Sequence, residues 1–263
     1  MSDERHMHRD PFKIDGPTCV SFSGGRSSAY MLWRVLQSNG GELPTGCVAV
    51  FANTGKEDEG TLEFVRDCAN YWDIDIQWIE YCVDNKFKKT DFAHASRKGE
   101  PFAALIAKKQ FLPNAVMRFC TSDLKIKPIA ALLESMGLDD VDMVVGIRAD
   151  EPRRIAKMGH LHLPLAIAGI AKANVMEFWA KQPFDLDTEA GNCDLCFNKG
   201  VSEIMSLVQL KPARAVWWAA QEEKVGARFA KDRPTYAQMK RYAEDQSQLF
   251  PEQQEAVSCF CGD

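Results

Sequence analysis

TCVSFSGGRSS, residues 18–28, is the stretch of this sequence that decides the fold. Its first five residues form a short apolar run typical of a buried strand, and an amphipathic helix is predicted from Ser27 to Gln37. The glycines between them let the backbone adopt positive φ and approach an anion. Free N–H groups and the positive end of the helix dipole then favour a phosphate at the helix start.

The turn also supplies side-chain donors, because serine hydroxyls and a forked guanidinium both suit phosphate oxygens. The predicted phosphate-binding residues are Ser23, Gly24, Gly25, Arg26, Ser27 and Ser28. Neither Gly-x-x-x-x-Gly-Lys-Ser/Thr nor Gly-x-Gly-x-x-Gly is present, so the two commoner nucleotide loops are not indicated. The alternative is a tight strand-to-helix turn whose serines only cap the helix.

Further strands and helices alternate along the chain. Strands are predicted at residues 47–51, 74–80, 141–145 and 160–163, and helices at residues 57–72, 101–109, 125–136 and 174–180, the last capped by Asn174. Residues 84–113 are otherwise predicted to be irregular. This order predicts an α/β fold with a doubly wound parallel sheet. Residues 1–185 form the predicted nucleotide-binding domain, and residues 186–263 a small helical, cysteine-containing C-terminal appendage with helices near 199–210 and 212–224.

Composition sets the class of protein. The 263 residues have a net charge of −5 and 46% hydrophobic content, which is ordinary for a globular protein and gives no global attraction to nucleic acid. No apolar run is long enough to span a membrane, and the first 13 residues lack a signal-peptide core. We therefore expect a cytoplasmic protein without a membrane partner. Its nine cysteines are then metal ligands, reactive thiols or core residues rather than disulfides.

Three further segments, together with the loop at 23–28, resemble the PP-loop ATP pyrophosphatase superfamily. Within it the chain is similar to the phosphoadenosine phosphosulfate reductase-like family, including its phage-encoded and DNA-phosphorothioation-type members. The segments are Phe51-Ala-Asn-Thr-Gly55, Arg118-Phe-Cys-Thr121 and Gly146-Ile-Arg-Ala-Asp-Glu-Pro-Arg-Arg154. In their chain order they extend the resemblance over roughly residues 17–200.

The resemblance implies roles for residues at the carboxyl ends of the strands. It implies binding of ATP by the loop at 23–28, by Asn53, Thr54, Gly55 and Glu57, and by Arg154. It implies that charge at Arg26, Arg118, Lys125 and Arg148 stabilises the reacting phosphates. Mg²⁺ is expected through Glu57 or Glu151. The alternative for each charged residue is a solvated surface position.

Two departures from the family pattern bear on the activity that the resemblance implies. Arg26-Ser27 stands where PP-loop proteins commonly have Lys-Asp. The C-terminal catalytic-cysteine segment of true reductases is not found, which weighs against sulfate reduction.

The cysteines suggest a second kind of site. Cys193-x-x-Cys196 is a two-ligand turn, Cys120 lies in the arginine loop, and Cys259 and Cys261 end the chain. We expect a [4Fe–4S] cluster on Cys120, Cys193, Cys196 and Cys261, with Cys259 as the alternative fourth ligand. The expectation of a cluster rests partly on the resemblance to the superfamily. Structural zinc, or a free redox pair at the chain end, remains open.

These features together predict an ATP-dependent adenylating sulfurtransferase. The acceptor is expected on nucleic acid, of the DNA phosphorothioation or tRNA thiolation type, and a cysteine desulfurase is a possible sulfur-donor partner. Two alternatives stay open: an adenylyl-sulfate or phosphoadenylyl-sulfate reductase, and a non-catalytic nucleotide-binding subunit.

Overall fold

A computed structural model describes residues 10–138, 140–187 and 193–249 of the chain. The predicted ligand Cys261 and its alternative Cys259 lie outside the described residues. No helix of the described part is both long and apolar enough to cross a bilayer.

A five-stranded sheet forms the centre of the fold, as predicted. Its strands are β1 (Thr18–Ser21), β2 (Cys47–Asn53), β3 (Ile76–Cys82), β4 (Lys86–Thr90) and β5 (Asp142–Val145). The order across the sheet is β4-β3-β2-β1-β5, and only β4 runs antiparallel to its neighbour. The doubly wound α/β class is confirmed.

Eleven α-helices and one π-helix lie in the described residues. They are α1 (Arg26–Ser38), α2 (Glu59–Trp72), α3 (Glu100–Lys109), α4 (Phe119–Thr121), the π-helix (Ser122–Ile126), α5 (Lys127–Ser135), α6 (Pro152–Met158), α7 (Pro164–Ile167), α8 (Lys172–Trp179), α9 (Val201–Leu210), α10 (Arg214–Val225) and α11 (Tyr236–Leu249).

Helices cover both faces of the sheet. Successive side chains of a strand point to opposite faces, so each strand contributes to a core on both sides. Val20 and Phe51 pack in a core with α1, α2 and α8. Cys19 and Val50 face the other way, towards α5. A third apolar cluster joins α3 and Phe119 to α9, α10 and α11. The proposed division at residue 185 stays a prediction.

Several local predictions were wrong. Lys86–Thr90 forms a strand although it lies in a segment predicted to be irregular, because its three lysines suit an exposed sheet edge. The strand predicted at 160–163 is reduced to one bridge between Val144 and His162. Asn174 does not cap α8 as predicted; its side chain accepts a hydrogen bond from the Ala171 backbone N–H at 2.9 Å. Helices α4, α6, α7 and α11 were not predicted.

Candidate active site

Three loops converge where parallel strands end. The loop at 23–28 follows β1, the loop at 53–57 follows β2, and the loop at 146–154 follows β5. The chain runs from β1 to β2 on one side, whereas β5 lies on the other, so the strand order reverses beside β1. Ligands of open α/β sheets bind at such a switch point.

The loop at 23–28 is held by its own serines. The Ser28 hydroxyl accepts a hydrogen bond from the Ser23 backbone N–H at 3.1 Å and lies 2.9 Å from the Ser23 hydroxyl. It also donates to the Gly25 carbonyl at 2.9 Å. Gly24 has φ +76°, and a Cβ there would lie 2.8 Å from Thr61 Cγ2. Only glycine fits this turn without displacing α2.

The start of α1 presents backbone donors to the edge of the sheet. Its N-cap is Gly25, and no side-chain cap is formed within the described residues. The N–H groups of the first turn have no partner inside the helix. Gly25 and Ser27 are half-buried rather than sealed. These two residues are therefore partly accessible, and anion binding at this helix start stays a prediction.

Arg26 is already paired in this structure. Its guanidinium makes two hydrogen bonds to the Asp185 carboxylate, at 2.7 and 3.0 Å, and a third to the Leu186 carbonyl at 2.6 Å. The Trp179 indole donates to the Arg26 carbonyl at 3.1 Å. Arg26 thus ties α1 to the segment after α8, and its role with phosphate stays a prediction.

The loop after β5 packs against the start of α1. A Cβ at Gly146 would lie 2.8 Å from the Ser28 Cα, so glycine permits this approach. Arg148 then donates to the Ser27 hydroxyl at 3.0 Å and to Asp150 at 2.8 Å. The structure therefore brings Arg148 to the predicted phosphate loop.

Glu151 organises the rest of the loop after β5. One carboxylate oxygen accepts from the Arg148 backbone N–H at 3.1 Å, and the other from Arg154 at 2.6 Å. Because both oxygens have arginine partners, Glu151 is a poorer candidate than Glu57 for Mg²⁺. Arg154 is more than half exposed on this edge.

A buried polar network fixes the loop after β2. The Asn53 amide donates to Glu80 at 2.7 Å and to the Ser96 carbonyl at 2.9 Å, while its oxygen accepts from the Gly55 N–H at 3.0 Å. The Ser96 hydroxyl and Lys88 also bind the Glu80 carboxylate. Asn53 therefore has a structural partner set that shapes the turn at Thr54 and Gly55.

Glu57 and Lys125 meet beneath this turn. One Glu57 oxygen accepts from the Thr54 backbone N–H at 2.8 Å and its hydroxyl at 2.7 Å. The other oxygen, Oε1, is buried without a hydrogen-bond partner in the described residues, 3.6 Å from Lys125 Nζ. Although burial opposes it, Glu57 raises the pKa of Lys125, so this side chain stays charged.

Two of the predicted cysteine ligands, Cys120 and Cys193, interact with Lys125. The Cys193 sulfur lies 3.7 Å from the Thr54 hydroxyl. Burial, followed by Glu57, raises the pKa of the Cys193 thiol, and burial followed by Cys196 raises that of Cys120. Cys120, Cys193 and Cys196 thus occupy one neighbourhood, as free thiols.

Their arrangement is not a ready metal site. Within residues 10–138, 140–187 and 193–249, no three His, Cys, Asp or Glu side chains are grouped so as to hold a metal ion. The thiols have the right chemistry for iron or zinc. Their positions in this structure do not close a ligand set.

Asp194 docks the Cys193–Cys196 turn on the loop after β2. Its carboxylate pairs with Lys56 at 2.9 Å and accepts from the Trp218 indole at 2.8 Å. Its backbone N–H donates to the Lys56 carbonyl at 2.8 Å. Sequence reasoning missed Asp194 because an aspartate between two cysteines has no signature of its own.

Arg118 is a predicted site residue, and Asp185 is a residue that sequence reasoning missed. Arg118 is exposed, with a 3.4 Å hydrogen bond to Thr121, and its charge acts on Cys120. Its role with phosphate stays a prediction. Asp185 was missed, since only tertiary structure shows that it faces Arg26, 159 residues earlier.

Comparisons with known proteins place the chain in a family. No family model matches it. The uncharacterized nin region protein ORF290 of Escherichia phage lambda is 30% identical, over 70% of this chain and 67% of that protein. The chain belongs to the same family as this phage protein. The uncharacterized protein MJ0066 of Methanocaldococcus jannaschii is 29% identical over 57% of this chain and only 26% of its own length.

Two solved structures are similar at a lower level. The NMN synthetase from Francisella tularensis has a TM-score of 0.43 and 11% identity, over 94% of this chain and 90% of that chain. The U34-tRNA thiolase NcsA from Methanococcus maripaludis with its [4Fe-4S] cluster has a TM-score of 0.34 and 13% identity, over 99% of this chain and 79% of that chain. At these values neither similarity indicates the activity of this protein.

Proposed function

We propose that this protein is an ATP pyrophosphatase of the PP-loop type, which adenylates an acceptor oxygen for sulfur transfer. The observation that carries the proposal is the glycine turn that leads into the uncapped start of α1, with Gly25 and Ser27 half-buried, at the switch point between β1 and β5. Arg148 supplies a cation bonded to Ser27 at 3.0 Å. A glycine-rich strand-to-helix turn with an adjacent arginine is a recipe for binding polyphosphate.

The proposed reaction has two displacements. An acceptor oxygen attacks the α-phosphorus of ATP, the bond to the bridging oxygen breaks, and pyrophosphate leaves with the electron pair. A sulfur nucleophile then attacks the acceptor atom and AMP leaves. First-turn amides and Arg148 bind the developing negative charge, and the charged Lys125 stabilises the activated acceptor. Arg154 adds a further cation on the loop after β5, and we keep Arg118 as a predicted contributor.

Magnesium fits the loop after β2 better than the loop after β5. Glu57 Oε1 is a hard ligand that makes no hydrogen bond among the described residues, although Lys125 Nζ lies 3.6 Å from it. Mg²⁺ bound there would neutralise the leaving pyrophosphate. Asn53, Thr54 and Gly55 would then line the adenosine side.

A metal cluster remains part of the proposal, on Cys120, Cys193, Cys196 and Cys261. Support comes from the electrostatic interaction of Cys196 with both Cys193 and Cys120. The fourth ligand, Cys261, lies outside the described residues and stays a prediction.

Pyrophosphate release from ATP tests the enzymatic proposal, with RNA and DNA offered as acceptors. We expect release that falls by about 100-fold in Arg148→Ala, because a donor to the transition state is lost. Ser206→Ala, an exposed helical serine far from the loop, serves as the matched control. Sulfite release from adenylyl sulfate instead would indicate the reductase, and ATP binding without turnover the non-catalytic subunit.

The cluster is tested on protein purified without oxygen. We expect a brown protein with iron and acid-labile sulfide, and loss of colour in Cys193→Ser. Cys68→Ser, which alters a buried core thiol, is the control. Colourless protein containing zinc would reject the cluster.

A further inference from the structure

A cavity opens at the carboxyl end of the parallel strands, the same end of the sheet as the loop at 23–28. It has a volume of about 550 Å³ and lies between the end of β3, α3 and the helix that continues from the π-helix into α5. Tyr81 and Cys82, the last residues of β3, line it. Its volume is in the range of sites for small ligands.

The wall of this cavity is cationic. Its charged residues are Lys86, Lys108, Lys109, Asp123, Lys127 and Glu134. Four lysines and two carboxylates give a formal charge of +2, in a chain whose net charge is −5. Positive charge is therefore concentrated at this cavity, although the protein as a whole is negatively charged.

Asp123 organises the lysines. Only 5% of this residue is exposed, and its carboxylate pairs with both Lys109, at 3.0 Å, and Lys127. Although burial opposes ionisation, the two lysines lower the pKa of Asp123 below its usual range. One carboxylate thus holds two ammonium groups at the cavity, leaving one positive charge uncompensated.

Tyr81 lines the cavity, but its hydroxyl is buried away from solvent and has no hydrogen-bond partner among the described residues. We therefore count it with the wall of the cavity and not with its donors. Leu105, Ala130 and Ala131 form the apolar part of the lining.

The π-helix links this cavity to the cysteine neighbourhood. Asp123 and Lys125 both lie on it, but Asp123 pairs with the cavity lysines whereas Lys125 pairs with Glu57 beside Cys193. π-Helical turns occur frequently at functional sites. A ligand in the cavity would therefore sit one helix away from the proposed reaction centre.

We propose that this cavity binds the phosphate group of a nucleotide unit, distinct from ATP at the loop at 23–28. The lysines pair with the phosphate, and the apolar wall receives the sugar and base. That this unit belongs to the acceptor rests on the proposed function; the binding itself does not.

Cys82 provides a built-in reporter of occupancy, because it lines the cavity and is half-buried. Its alkylation by iodoacetamide would be followed by peptide mass spectrometry on the full chain without ATP. Cys47, also half-buried, lies at the start of β2 on the opposite edge of the sheet and is the internal control. We expect thymidine 5′-monophosphate to slow alkylation of Cys82 several-fold and to leave Cys47 unchanged.

Matched variants test the lysines. Lys108→Gln with Lys127→Gln should weaken protection of Cys82 by about tenfold, as expected when a charge-assisted hydrogen bond is lost. Lys181→Gln is the control: like Lys127, Lys181 is about two-thirds exposed and pairs with a carboxylate four residues away. In Lys181→Gln the nucleotide should protect Cys82 from alkylation as well as it does in the parent protein.

Two probes distinguish a nucleic-acid acceptor from a free nucleotide as the ligand of this cavity. Tighter protection by a 5′-phosphorylated dinucleotide than by the mononucleotide would identify a nucleic-acid acceptor, and the reverse a free nucleotide. Equal protection by thymidine, which lacks phosphate, would overturn the proposal, as would full protection in the double variant. Because no step needs ATP turnover, a failure of pyrophosphate release leaves this result unaffected.

Discussion

Gly24 is the residue on which the geometry of the phosphate loop depends. We expect Gly24→Ala to lower the free energy of unfolding by about 2–4 kcal/mol, because strain from positive φ adds to a clash with Thr61. Gly40→Ala is the control, since Gly40 has φ +88° but no atom within 4 Å of the added Cβ. It should lose only about 1 kcal/mol. Equal losses in urea unfolding would show that close packing at Gly24 is unimportant.

Asp123 makes stability depend on pH. Its pKa in the folded protein is lowered, so its ionised form contributes stability above the unfolded pKa of about 4. That contribution is lost as pH falls through the folded pKa. We expect Asp123→Asn to lower the free energy of unfolding by about 1–3 kcal/mol at pH 7. The difference from the parent should shrink steadily below about pH 4.

An exposed ion pair supplies the comparison for Asp123. Glu177 also pairs with a lysine four residues away, but both side chains are about two-thirds exposed. Glu177→Gln should change stability little at any pH, because surface pairs contribute little. A pH-independent loss in Asp123→Asn would mean that packing, rather than charge, is responsible.

At the scale of elements, α10 holds the cysteine turn through one indole. Trp218 is fully buried and donates to Asp194 at 2.8 Å. We expect Trp218→Phe to lower the free energy of unfolding by about 2 kcal/mol, since a hydrogen bond to a buried carboxylate is lost with part of the ring. Faster alkylation of Cys193 should accompany the loss.

Trp217→Phe is the matched variant on the same helix. Trp217 is half-buried and lies over Lys56, with the ammonium 5.4 Å from the ring centroid. The phenylalanine keeps an aromatic face for this cation. A smaller effect is therefore expected, and Cys193 alkylation should not change.

At the scale of the whole molecule, the C-terminal helices and the sheet are joined at the loop after β2. Arg214 at the start of α10 bonds Asp58, the N-cap of α2, at 2.5 Å, with both side chains largely buried. A double-mutant cycle with Asp58→Ala and Arg214→Ala should give a coupling free energy of about 1–2 kcal/mol. The cycle removes the separate contribution of Asp58 as a helix cap. A coupling near zero would indicate that the two parts are held together elsewhere.

Sequence alone identified the sheet, the loop at 23–28 and the convergence of three loops at one edge, because local apolar runs and glycine turns determine strands and helix starts. It also singled out Cys120, Cys193 and Cys196, which the fold brings into one neighbourhood. Tertiary structure alone decided which charges meet. Arg26 pairs with Asp185, Asp194 docks on Lys56, and Asp123 gathers lysines around a cavity. Such pairs join residues that are mostly distant in the chain, and no local pattern encodes them, since each depends on where packed elements place their ends.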